Sequence, residues 1–118
     1  MVDFVRDILL AFARVHILHH ASEEPIFGTG MMAELRRHGY ALGPGTIYPL
    51  LHRLEADGSL VCRAKVVGGK ARKYYAITGR GRRDLDAIAP KLAELAGEVL
   101  QVARGPAAHR RMARRPSR

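Results

Sequence analysis

A mainly α-helical domain carrying one small β-hairpin is the fold this sequence predicts. Three observations predict it. Apolar residues recur at helical spacing in three early segments, two alternating runs meet at Gly68-Gly69, and a heptad-spaced seam follows them.

The first helix is expected from about Asp3 to His20, with Asp3 as its cap and Asp7 near the positive end of its dipole. Phe4, Val5, Ile8, Leu9, Phe12, Val15 and Leu18, with Leu10 and Ile17, wrap most of its circumference. A helix apolar nearly all round needs cover on more than one side, and in so short a chain a second copy is a natural source. Phe4, Ile8 and Phe12 are therefore candidate dimer contacts. Ala21-Ser22-Glu23-Glu24-Pro25 reads as a polar break.

A second helix is expected from Thr29 to His38, ending at Gly39 as a left-handed C′ residue. After Ala41-Leu42-Gly43 comes a third helix with Ile47, Leu50, Leu51 and Leu54 at i, i+3, i+4, i+7. Two short helices joined by a glycine-containing turn mark a helix-turn-helix. The other face of the third helix carries Thr46, Tyr48, Pro49, His52 and Arg53 instead of the usual Glu and Lys. Pro49 is read as an early helical residue that shapes the turn more than it breaks it.

Leu60 to Val67 and Lys70 to Ile77 alternate as two strands, and Gly68-Gly69 supplies the positive φ angles of a two-residue turn. That turn sets the register. Leu60, Cys62, Ala64, Tyr75 and Ile77 share one face, while Arg63, Lys65, Arg72 and Tyr74 share the other. Lys70 sits at the tip, and Lys73 lies on the first face near its open end. No acidic residue occurs from Leu60 to Arg83.

Thr78 can cap a last helix carrying Leu85, Ile88, Leu92, Leu95, Val99 and Val102 at alternating spacings of three and four, the seam of one helix packing along another. Pro90 is expected to kink that helix or divide it. From Arg104 onward six arginines, two prolines, a glycine and no acid read as a disordered cationic tail, either inert or a nonspecific DNA anchor.

Composition narrows the function classes. The chain has 118 residues, enough for one small domain whose modest core would gain from dimerisation. Its formal charge of +9 favours an anionic partner, either nucleic acid or an acidic membrane surface. One cysteine excludes an intrachain disulfide and a cysteine zinc site, and fits a reducing cytosol. Asp3, Arg6, Asp7 and Arg14 interrupt the N-terminal apolar run, which is neither a signal peptide nor a membrane span. A soluble cytoplasmic protein without a membrane partner is the expectation. No catalytic set emerges: no serine stands with a histidine and an acid, no carboxylates are paired at a pocket, and no phosphate-binding glycine loop is present. The chain is read as a non-enzyme requiring no cofactor.

The order helix, helix, helix, hairpin, long helix is a winged helix-turn-helix with an appended C-terminal dimerisation helix. Gly45-Thr46-Ile47-Tyr48-Pro49-Leu50-Leu51, Leu54-Glu55-Ala56-Asp57-Gly58 and Lys73-Tyr74-Tyr75-Ala76-Ile77-Thr78, with Gly81, carry a resemblance to the PadR family of bacterial transcriptional regulators. The resemblance covers about residues 5–100, and the short last helix looks like the smaller PadR subgroup. It implies a homodimer on a palindromic operator, usually a repressor of nearby genes, with the third helix in the major groove and the wing on flanking DNA. The first and last helices would build the dimer. Carried over by position, Thr46, Tyr48 and Pro49 fall on the DNA-facing turn, and Lys65, Lys70, Arg72 and Lys73 on the wing. The segment from His19 to Gly28 is longer than the family's usual approach to the second helix, and the chain has no tryptophan for an indole-lined drug pocket.

The expected organisation is a winged helix over residues 1–78, a dimerisation helix over 79–103 and a basic tail over 104–118. DNA contacts are expected from Thr46, Tyr48, Pro49, His52, Arg53, Arg63, Lys65, Lys70, Arg72 and Lys73, with Arg and Lys neutralising phosphate. The plainer reading packs Tyr48 and His52 against the wing. An effector pocket, where there is one, would lie between first and last helices across the dimer. The expected location is the cytoplasm, on the nucleoid. Two rival functions use the same features: a nonspecific DNA-compacting protein, and a winged-helix module that docks on acidic protein surfaces. His16 and His20, at i, i+4 with Glu23 and Glu24 near in sequence, have metal-ligand spacing but no third fixed ligand, so a solvated or interface cluster is the ordinary reading. Cys62, on the inner face of the wing, reads as packing before redox switch. Met31 and Met32 read as core filler.

Overall fold

The structure is a computed structural model, and it describes residues 3–101. Its elements are α1 (Phe4–Glu23), α2 (Gly28–Arg37), α3 (Pro44–Ala56), β1 (Leu60–Val67), β2 (Lys70–Ile77) and α4 (Gly79–Val99). Residues up to Leu85 form one compact unit, and those from Asp86 a second. Val102 and the arginine-rich tail lie outside the described residues.

Asp3 caps α1 as expected, its carboxylate accepting from the Arg6 amide at 3.2 Å. The helix runs one turn further than its sequence suggests. Ala21, Ser22 and Glu23 belong to it, with Ala21 buried and the Ser22 hydroxyl donating to the His19 carbonyl at 2.5 Å. The apolar circumference of α1 is partitioned along its length. Ala13, Ile17, Leu18 and Ala21 enter the core, whereas Phe4, Val5, Ile8, Leu9 and Phe12 remain exposed.

Gly39 follows α2 with φ +93°, the left-handed angle expected of it. In α3 the stripe Ile47, Leu50, Leu51 and Leu54 is buried, and Pro44 opens the helix. Pro49, however, lies later than the early helical position expected of it. It sits past the first turn, inside the helix, where it forgoes the bond an amide would make to the Gly45 carbonyl. Gly45 and Pro49 are both exposed, so water can satisfy that carbonyl.

The hairpin pairs in the expected register: Leu60 faces Ile77, Cys62 faces Tyr75, Arg63 faces Tyr74 and Lys65 faces Arg72. Leu60 and Tyr75 are fully enclosed, and Cys62 is half-buried against them. Sequence periodicity misses one element. Ile26 bridges Tyr75 antiparallel, with amide-to-carbonyl bonds of 2.9 and 2.7 Å in both directions, so the loop before α2 adds a one-residue third strand to the wing. Met31 and Met32 pack in and against the core.

The junction between α3, β1 and α4 is tied by a compact network. Thr78 donates its hydroxyl to the Gly58 carbonyl at 2.6 Å and accepts from the Gly81 amide at 3.0 Å, capping α4 as expected. Buried Ser59 donates to the Asp84 carboxylate at 2.8 Å. Gly81 rests directly on the Ser59 carbonyl, and a Cβ there would also come within 2.7 Å of Ile77 Cγ1. Backbone cannot give way cheaply. Gly81→Ala should therefore destabilise by about 1–3 kcal/mol, against the usual helical preference for alanine. Thermal unfolding followed by circular dichroism should show a midpoint lower by roughly 5–15 °C; an unchanged midpoint would refute the close-packed junction. Past it, α4 continues unbroken through Pro90 and is not divided in two.

Candidate nucleic-acid interface

α3 buries one face and offers the other. His52 and Arg53 are exposed, Pro49 is exposed, and Thr46 is half-buried. Tyr48 lies differently from a free contact residue. Its ring covers Gly28 at the start of α2, where an added Cβ would meet Cζ at 2.6 Å. Only a residue without a side chain leaves room for it. The tyrosine is thus braced on α2, and its ring stands 6.4 Å from that of His52, centroid to centroid.

The wing presents Arg63, Lys65, Lys70, Arg72 and Lys73, all exposed. Two of these cations rest on aromatic faces. The Arg72 guanidinium carbon lies 4.4 Å from the centroid of Phe27, and Lys65 Nζ lies 5.5 Å from that of Tyr74. Phe27 and Tyr74 meet edge to face at 5.5 Å. Such cation–π contacts contribute about 0.5–1 kcal/mol at exposed sites and hold long side chains in place. Phe27 was invisible to sequence reasoning as part of the wing. Its signal was the apolar pair Ile26-Phe27 directly after Pro25, an extended stretch inside an otherwise polar connection.

Among the described residues the ion pairs involve Glu23 and Glu34, and none reaches a wing cation. Lys65 and Arg72 stand directly opposite each other across the ladder. Like charges so placed repel and destabilise a hairpin. A surface that carries this cost without an internal counterion is suited to a polyanion.

The candidate dimer residues fall into two groups. Phe4 is 74% exposed, and Ile8 and Phe12 each 39%. Leu92, Leu95 and Val99 of α4 are exposed at 42%, 53% and 59%, with Ile88 half-buried. Leu85 packs instead against the core of its own chain. His16 and His20 are brought together with His38, a residue that sequence spacing did not connect to them. No helix among the described residues is long and apolar enough to cross a membrane.

Residues 17–87 match the transcriptional regulator PadR-like family. The chain is 50% identical over 96 residues to the transcriptional regulator Rv3488 of Mycobacterium tuberculosis, covering 81% of this chain and 90% of that protein. It superimposes on a PadR-like transcriptional regulator from Bacillus cereus with a TM-score of 0.77 at 27% identity, covering 85% of this chain and 99% of that one. A PadR family transcriptional regulator from Eggerthella lenta aligns with a TM-score of 0.68 at 29% identity, over 88% of this chain and 96% of that one.

Proposed function

Because the chain belongs to the PadR-like family of transcriptional regulators, we propose that it is a homodimer that binds a palindromic DNA operator through α3 and the wing. The observation that carries this reading is the run of exposed wing cations with no carboxylate partner among the described residues, two of them held on aromatic rings. His52 and Arg53 on the exposed face of α3 are the side chains with reach to base edges, since arginine pairs two-pronged with guanine. Thr46 is assigned to phosphate, and Tyr48 to shaping the helix surface through its seat on Gly28. Arg63, Lys65, Lys70, Arg72 and Lys73 are assigned to backbone phosphates.

Two exposed apolar surfaces support the dimer, one on the N-terminal half of α1 and one along α4. Exposed apolar residues in such number on a small chain mark an interaction surface. Repression of a nearby operon, relieved by an effector and exerted on DNA in the cytoplasm, is the mode of action that family membership supports.

Selection from random duplex pools, then footprinting, tests the reading. A two-fold symmetric sequence should be enriched and protected, with half-sites about 10–10.5 base pairs apart or a multiple of that. Coating without sequence preference would favour a compacting protein instead, and absence of DNA affinity would favour a protein-docking module.

A further inference from the structure

Three imidazoles meet between α1 and α2, and DNA reading uses none of them. His16 and His20 lie one turn apart on α1, and His38 caps the end of α2. One ring nitrogen from each lies within 4.8 Å of the others. Glu34, one turn before His38, adds a carboxylate: its Oε2 is 3.7 Å from His20 Nε2 and 3.5 Å from His38 Nε2. Two i, i+4 pairs therefore face each other from two elements. From this geometry we propose that His16, His20, Glu34 and His38 form a binding site for a divalent late-transition-metal ion of the Zn²⁺ or Co²⁺ class.

Bonds of about 2.0–2.1 Å in a tetrahedron separate donor atoms by roughly 3.3–3.4 Å. The carboxylate already stands close to that spacing from two nitrogens, and small side-chain rotations bring in the rest. The His20 ring carries an independent sign. Its Nε2 is buried without a hydrogen-bond partner, a state that costs free energy unless another ligand completes it. Its Nδ1 faces the Glu23 carboxylate at 3.8 Å, on the other edge of the ring. A carboxylate behind a ligating imidazole is the usual means of orienting it.

The surroundings of His16 favour its neutral form, the form that binds metal. Burial lowers the pKa of His16, and His38, His20 and His19 push it in the same direction. Arg37, 3.4 Å from the Glu34 carboxylate, offsets some of its charge without supplying a donor to the ion. An open cavity lined in part by His20, Glu23, Met31 and Glu34 reaches the His20–Glu34 edge of the cluster. Three nitrogens and one oxygen suit zinc, cobalt or nickel; magnesium and calcium require oxygen cages.

The test uses the full chain and does not depend on DNA binding. Titration with Co²⁺ should give one equivalent per chain, with the intense visible bands of four-coordinate cobalt, and Zn²⁺ should bleach them. Glu34→Gln and His38→Gln should each weaken Zn²⁺ binding by at least about 10- to 100-fold in calorimetry, since loss of even the partners behind the ligands has that effect. Both residues sit at the surface end of α2, so metal-free melting of the variants should match the parent. His19→Gln and His52→Gln should bind as the parent does. Weak, octahedral-type cobalt spectra, or parent-like Zn²⁺ affinity in both Glu34→Gln and His38→Gln, would overturn the site.

Discussion

A Leu95→Asp/Val99→Asp chain is expected to sediment as a monomer and to lose at least about 100-fold in affinity for a symmetric operator. The size follows from linkage of two half-sites. When one subunit docks, its partner is delivered at high effective concentration, a gain of roughly 10²- to 10⁴-fold over a single half-site. Both leucine and valine here are more than half exposed in the single chain, so an aspartate at either costs the isolated fold little. Across an apolar contact the same carboxylate would be desolvated without a partner, which strongly opposes association. Sedimentation equilibrium and operator titration check the two halves separately. A double variant that remains dimeric would place the subunit contact elsewhere.

Lys65→Ala/Arg72→Ala should weaken DNA binding by about 10- to 100-fold near physiological salt. Each lost phosphate contact lowers the slope of log affinity against log salt by about 0.9, so the double variant should be shallower by about 1.8. The folded state should not suffer correspondingly. The two cations face each other across the hairpin, and removing them relieves a like-charge pair while giving up the contacts to Phe27 and Tyr74. An unchanged melting temperature with a reduced salt slope is the expected signature. Undiminished binding would show that the wing is not the phosphate-contacting element.

Much of the fold was legible because its signals are local. The hairpin register follows from a period of two and a Gly-Gly turn, and the structure pairs Lys65 with Arg72 accordingly. Asp3 and Gly39, and Thr78 in its cap of the Gly81 amide, act within a few residues, so spacing alone reveals them. The buried stripe of α3 is likewise a matter of helical period.

What escaped depends on contacts between segments far apart in the chain. Ile26 joins the wing only because Tyr75 is brought opposite it. The seat of the Tyr48 ring on the bare surface of Gly28 depends on α2 lying against α3. Pro49 was read as an early helical residue with little to lose, but five residues after Pro44 it falls where an amide would already bond within the helix. His16 and His20 lacked a third partner in sequence, and packing of α2 on α1 supplies His38 and Glu34.

The sequence by itself determined the element order, the strand register, the cationic outer face of the wing and the family. Those rest on short-range periodicity and on residue types whose conformational limits act locally. Only the tertiary structure decided that Phe27 lies under Arg72 and which donors surround His20. Those neighbours come from separate elements brought together by packing, and no spacing along the chain encodes that choice.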